Sequence, residues 1–188
     1  EVRLESEQGK VKSQLILGYL YFEGKGGVSQ NKKEAAKWIG KAAEQGDAEA
    51  QFLLGVMYSG GMGVPQDYRE AEKWTRKAAG QGNSSAQNYL GEFYHSGKGA
   101  VQKDYKESAK WFRAAAEQGN ASAQFNLSRQ YCLGEGMPID LEEAYSWLIL
   151  ANANGHKNSA KIMKMMQDDL TPAQLEKAQQ IAKTRWKP

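Results

Sequence analysis

Small and apolar residues return along this chain at helical spacing, and the whole pattern then repeats. In residues 47–58, Ala50, Leu54, Gly55 and Tyr58 form one stripe of a helix. The same stripe reads Ser13, Leu17, Gly18, Tyr21 upstream; downstream it reads Ala86, Leu90, Gly91, Tyr94 and then Ala123, Leu127, Ser128, Tyr131. A second stripe follows, made of a small residue, a tryptophan and an Ala-Ala pair: Ala71, Trp74, Ala78 and Ala79 in the second copy. The tyrosines step by 37, 36 and 37 residues, and Trp38, Trp74, Trp111 and Trp147 by 36, 37 and 36. A fixed period of this size marks a solenoid, whose repeats bury their apolar faces only against neighbours. Glycine inside a helix costs about 1 kcal/mol relative to alanine. Its return at three of the four stripes implies the close approach of a partner backbone.

The polar residues between the stripes are start and stop signals. Asp47, Asn83 and Asn120 stand where the N-cap of a first helix belongs. Glycine-rich loops at 24–28, 60–65, 97–101 and 134–139 let the chain reverse. The first and third are one residue longer, which accounts for the alternating period. Asn31-x-x-Glu34, Asp67-x-x-Glu70, Asp104-x-x-Glu107 and Asp140-x-x-Glu143 have the spacing of a capping box opening a second helix. That helix stops at Gly46, Gly82, Gly119 and Gly155, each eight residues after its tryptophan. Helical hairpins punctuated four times in this way predict an all-α solenoid.

The pattern divides the chain into repeats at 10–46, 47–82, 83–119 and 120–155. Ser6-Glu-Gln-Gly9 matches Ala43-Glu-Gln-Gly46, so residues 1–9 read as the tail of a preceding second helix. Glu1 stands where a tryptophan is expected, which suggests an array cut inside an earlier repeat or ending raggedly. Residues 156–188 read as a partial repeat with a capping helix. Within them, 156–166 predict a fifth first helix without its tyrosine. Thr171 and Pro172 then stand as N-cap and first residue of a last helix, with Leu175, Ala178 and Ile181 on one face.

Composition narrows the function. Only 40% of the 188 residues are hydrophobic, low for one central core but adequate for thin layers of stacked helices. Twenty-five basic and 22 acidic residues leave a net charge of +3, too balanced to argue for nucleic acid. No apolar run approaches the roughly 20 residues that cross a bilayer. Cys132 is the single cysteine, so no intramolecular disulfide can form. It reads as a small buried hydrophobe, with a groove-facing thiol as the alternative.

The combination Ala50-Gln51, Leu54-Gly55, Tyr58, Gly61-x-Gly63-Val64, Asp67, Ala71, Trp74, Ala78-Ala79 and Gln81-Gly82 resembles the Sel-one-like repeat family, a relative of the tetratricopeptide repeat. The likeness extends over about residues 6–163. It implies a right-handed superhelix of antiparallel helix pairs that acts as an adaptor or ligand-binding scaffold. Many members are bacterial and often exported, and several are linked to host interaction or envelope signalling. With the charge balance and the absence of a long apolar run, this favours a non-enzymatic monomer in the periplasm or secreted, binding a protein or peptide, without cofactor, nucleic acid or membrane insertion.

In such an architecture the first helices line the concave face. Positions about 100–200° away from the packing stripe point into the groove. They are Lys12, Leu15, Tyr19 and Phe22; Glu49, Phe52, Val56 and Ser59; Ser85, Asn88, Glu92 and His95; and Ser122, Phe125, Arg129 and Cys132. These residues differ from copy to copy while the stripe does not, so packing does not dictate them. The candidate partner-binding set is Tyr19, Phe22, Phe52, Val56, Asn88, Glu92, His95, Phe125 and Arg129, aromatic anchors beside hydrogen-bonding groups. Phe52 and Phe125 have a second reading, as side chains packed sideways between adjacent repeats.

Other chemistries fit less well. The four tryptophans hold one repeat position and read as core. His95 and His156 stand about sixty residues apart without a companion at zinc-ligand spacing. Ser29-Gln-Asn-Lys32 matches S-x-x-K of penicillin-recognising enzymes, but neither S-D-N nor K-T-G occurs. The glycine loops lack the P-loop spacing. A hydrolase or β-lactam-binding protein of the cell envelope remains as an alternative to the scaffold, as does a fragment of a longer repeat array. No catalytic residue and no metal ligand is assigned.

Overall fold

The computed structural model describes residues 2–98 and 101–185. These residues form eleven helices and no strand. In chain order they are α1 (Val2–Glu7), α2 (Val11–Glu23), α3 (Lys32–Glu44), α4 (Ala48–Gly60), α5 (Tyr68–Gly80), α6 (Ser84–Ser96), α7 (Tyr105–Ala116), α8 (Ala121–Leu133), α9 (Leu141–Ala153), α10 (Ser159–Gln167) and α11 (Pro172–Arg185). The chain divides into two compact units: residues 1–86 with 98–102, and residues 87–97 with 103–188. Gly99 and Ala100 of the third glycine loop, and Glu1, lie outside the described residues.

In the first unit, hairpins α2–α3 and α4–α5 stack through Ala35, Ile39, Ala42, Ala50, Leu54, Met57 and Trp74, with Tyr21 and Tyr58 half-buried against them. The recurring glycine is where two helices touch. A Cβ on Gly55 would lie 2.5 Å from Thr75 Oγ1 and 3.0 Å from the Ala71 carbonyl oxygen. A Cβ on Gly18 would lie 2.5 Å from Ile39 Cγ1. In the second unit, one on Gly91 would lie 2.6 Å from Phe112 Cδ1. Ser128 takes this position in α8 and is buried there.

Each hairpin closes by one backbone bond. The N–H groups of Asn31, Asp67, Asp104 and Asp140 donate to the carbonyls of Tyr21, Tyr58, Tyr94 and Tyr131, at 2.8, 3.0, 2.9 and 3.1 Å. The side chains of those four residues cap the second helices, Asp67 accepting from the Arg69 and Glu70 N–H groups. A cap of this kind is worth about 1 kcal/mol. The reciprocal half of the predicted capping box does not form. The N–H that the glutamate would reach is already bound to the tyrosine carbonyl. Glu70 and Glu107 instead accept from the indole Nε1 of Trp74 and Trp111, both at 3.1 Å. Trp38, Trp74 and Trp147 are buried as expected, but Trp111 is only half-buried.

The turns at Gln45-Gly46, Gln81-Gly82, Gln118-Gly119 and Asn154-Gly155 are Schellman motifs. Gly46, Gly82, Gly119 and Gly155 have φ between 84° and 95°. In the first of them the Gly46 N–H donates to the Ala43 carbonyl and the Asp47 N–H to the Ala42 carbonyl. An amide clasp then fastens one repeat to the next. Buried Gln51 donates to the Ala43 carbonyl at 3.1 Å and accepts from Gln81 Nε2 at 2.8 Å. The same clasp is made by Gln14 with Ser6 and Gln45, and by Gln124 with Ala116 and Asn154. Gln118 likewise donates to Gln87. Thus α1 stands to α2 as α3 stands to α4.

The C-terminal part adapts the pattern. The fifth first helix, α10, starts at Ser159 and not at residue 156, because His156 takes the turn and its Nδ1 lies 3.1 Å from Ser159 Oγ. Thr171 and Gln174 form a reciprocal cap at the start of α11. Ala178 and Ala182 are the buried residues of α11, with Leu175 and Ile181 half-buried beside them. The helix is pinned to α9 by Arg185 on Glu143 and Ser146 and by Lys177 on Glu142.

Candidate partner-binding faces

In the first unit the predicted residues lie on α2 and α4, which a bond from Tyr19 to Glu49 bridges. Tyr19 and Phe22, one turn apart on α2, are half-buried against the core. Tyr19 Oη donates to Glu49 Oε1 on α4 at 2.8 Å. Burial, and then the hydrogen bond to Glu49, push the phenol well above its ordinary range, so it stays a donor. Phe52 and Val56 follow one and two turns after Glu49 and are half-buried. Leu15 and Ser59, also predicted to face the groove, are buried. Leu15 belongs to the core cluster, so it serves packing.

In the second unit α6 and α8, with the loop after α8, carry two polar sets. Asn88 Nδ2 donates to Glu92 Oε1 at 2.9 Å, and Asn126 Nδ2 to Asn88 Oδ1 at 3.2 Å. His95 Nε2 lies 2.9 Å from Glu135 Oε2 and 2.8 Å from Arg129 Nη2. One ring nitrogen cannot donate to the carboxylate and accept from the guanidinium at once. Only one of the two bonds is made at a time, and the group has an alternative arrangement built into it. The His95 ring also meets Tyr105 edge-on, with centroids 5.2 Å apart. Phe125 stacks on His156 at 4.1 Å and 24°, within a cluster that includes Leu148 and Met166. Its ring thus packs sideways onto the following segment. Cys132 is half-buried, its thiol 3.9 Å from Met166 Sδ; burial raises its pKa.

The structure therefore joins Tyr19 to Glu49, Asn88 to Glu92, and His95 to Arg129. Asn126 enters the Asn88 set, and Glu135 and Tyr105 the His95 set, without having been predicted. Each reaches its set from an unexpected register or loop, and nothing in their local sequence marks them. A cavity of about 550 Å³ also went unpredicted. It opens between α7, α9 and α11 and is lined by Arg113, Gln118, Gln124, Trp147, Asn154 and Arg185 among others. It exists only because α11 folds back onto α9, which periodicity does not reveal.

Four successive segments, 11–47, 48–83, 84–120 and 121–156, match the Sel1 repeat. This chain belongs to the Sel1 repeat family. Sel1 repeat proteins are generally protein-interaction scaffolds built as helical solenoids, and generally not enzymes. Among solved structures, a protective antigen of uropathogenic Escherichia coli displaying an SLR fold is 41% identical, with a TM-score of 0.84 over 88% of this chain and 35% of that one. A Sel1 repeat protein from Oxalobacter formigenes is 35% identical, with a TM-score of 0.80 over 84% of this chain and 64% of that one. This Sel1 repeat chain thus spans about a third of the antigen's length and somewhat under two thirds of the Oxalobacter protein's. Helicobacter pylori cysteine rich protein B, at 22% identity and a TM-score of 0.57 over 71% of this chain and 95% of that one, shares the fold alone. No curated protein matches the sequence.

Proposed function

We propose that this Sel1 repeat chain is a non-enzymatic bacterial scaffold that holds a peptide or protein segment on the side chains its first helices present. One observation carries the reading. The caps, Gln clasps and helix-contact glycines repeat from copy to copy, whereas the presented residues do not repeat and bond to one another. Tyr19 with Glu49, and Asn88 with Glu92, are such pairs on exposed surface. Half-buried rings that are held in place by their neighbours and vary from copy to copy suit recognition, with Tyr19, Phe22 and Phe52 as anchors. The hydrolase reading finds no such support, since Ser29 is exposed in an inter-helix loop.

The test is an affinity capture comparing the chain with its Phe52→Ala/Asn88→Ala/His95→Ala/Phe125→Ala variant, each checked for helicity by circular dichroism. A protein retained by the wild type and lost by the folded variant supports the reading. Equal retention by both moves binding to the loops or the second helices.

A further inference from the structure

Helix α7 carries a cation and an anion one turn apart that do not pair. On α1, Arg3 and Glu7 have this spacing and meet at 3.2 Å; on α5, Glu72 and Arg76 meet at 2.6 Å. Arg113 and Glu117 make no such bond, because α8 draws the arginine away. Arg113 Nη2 donates to Tyr131 Oη at 2.6 Å, and the guanidinium lies over that ring, 5.8 Å from its centroid. The Glu117 side chain is exposed and has no partner among the described residues. Both residues line the cavity of about 550 Å³ between α7, α9 and α11, and both also line a neighbouring one of about 410 Å³. The other charges on these walls are matched within the protein: Arg185 meets Glu143 at 2.8 Å, and Lys110 meets Glu107 at 2.8 Å. One cation and one anion remain.

That remainder is the complement of a ligand with both charges. A purely anionic ligand would meet Glu117, and a purely cationic one Arg113. A guanidinium takes a carboxylate through adjacent N–H donors, and Arg113 Nε and Nη1 have no partner among the described residues. An ammonium offers three donors. Besides the Glu117 carboxylate, two amide oxygens stand ready for them. Gln118 Nε2 donates to Gln87 and to the Ala114 carbonyl, and Asn154 Nδ2 donates to Gln124, so both side-chain oxygens stay open among the described residues. The volume falls within the range of small-ligand sites, about 300–1,000 Å³. We infer that the cavity between α7, α9 and α11 binds a small zwitterion of the amino-acid and dipeptide class, with its carboxylate on Arg113 and its ammonium on Glu117. The site is built from second helices and α11, so it is separate from the residues that the first helices present.

A titration of the full chain followed by backbone-amide NMR tests it. The probes are L-leucine and L-leucyl-L-leucine, which separate the two ligand lengths. The N-acetyl and C-amide forms of each lack one of the two charges. The expected result is saturable shifts of the amides from Arg113 to Gly119 with a zwitterion, at a Kd of about 1 mM. Each capped form should bind about three- to fivefold more weakly. Arg113→Gln should lose the discrimination between the free and amidated probes, and Glu117→Gln that between the free and acetylated ones. Glu117 is exposed, so Glu117→Gln keeps the fold, and the same spectra verify this. If Arg113→Gln unfolds, Glu117→Gln and the capped probes on the wild type decide. No saturable shift with either zwitterion up to about 20 mM overturns the inference. Capped probes that bind as tightly as the zwitterions overturn it too, as does discrimination that survives in Glu117→Gln.

Discussion

Arg185 grips Glu143 with both terminal guanidinium nitrogens, Nη1 and Nη2, at 2.8 and 2.9 Å. In the second and third repeats the matching glutamates, Glu70 and Glu107, accept from the tryptophan indole instead. The α11 helix thus takes from Trp147 the partner its counterparts have, and the buried Trp147 Nε1 is left without one. Arg185 compensates in part by lying over the Trp147 ring, 4.6 Å from its centroid.

That loss predicts a difference between equivalent substitutions. Trp74→Phe breaks a bond to a carboxylate, worth about 1.5–3 kcal/mol, as well as shedding volume. Trp147→Phe sheds the same volume but removes an orphaned donor. We expect Trp147→Phe to cost at least about 1 kcal/mol less than Trp74→Phe in urea unfolding. Equal costs would mean that the Trp147 N–H is satisfied in solution.

Two glycines in neighbouring helices should respond in opposite directions to alanine. Gly55 faces the Ala71 carbonyl oxygen, which cannot swing aside, so Gly55→Ala should destabilise by about 1–3 kcal/mol. Gly40, inside α3, has nothing within 4 Å of its would-be Cβ, so Gly40→Ala should stabilise by about 0.5–1 kcal/mol. Thermal midpoints of the two variants check both signs.

The amide clasp should show as coupling. Gln51 is buried and makes two hydrogen bonds, whereas Gln81 is exposed. Gln51→Ala should cost about 2–3 kcal/mol and Gln81→Ala about 1 kcal/mol. The double variant should then show a coupling of about 0.5–1.5 kcal/mol, which a double-mutant cycle in urea measures. Additive costs would remove the clasp from the list of forces joining the repeats.

His156 gives the fold a mild acid sensitivity. Burial beneath Phe125 holds its imidazole below the ordinary pKa, so the folded chain takes up this proton less readily than the unfolded one. The neutral ring contributes stability that is complete above the unfolded value of about 6.5 and declines as pH falls toward the folded value. The urea midpoint should drop between about pH 7.5 and 5.5, and the drop should shrink in His156→Gln. A drop of the same size in that variant would place the effect elsewhere.

The helical hairpins, their caps and the contact glycines were legible in the sequence because local rules act on them and four copies repeat them. Asp67 caps and Gly82 terminates through bonds reaching no more than five residues. The pairing of Tyr19 with Glu49 was half legible. Periodicity put both on the groove-facing register, but a bond across 30 residues depends on how α2 and α4 align.

Taken alone, the sequence determined that this is an all-α repeat protein, where most of its helices begin and end, α10 being the exception, and which stripe they bury. Backbone capping and helical periodicity depend on neighbours close in the chain, so one period of 36 or 37 residues contains them. Tertiary structure alone decided that Glu70 serves an indole while Glu143 serves Arg185, that His95 meets Glu135 and Arg129, and that Phe125 lies on His156. Apart from the local Glu70 bond, those choices depend on which side chains converge from 31 or more residues away once helices pack, and hydrogen-bond geometry then selects among partners of equal chemical type.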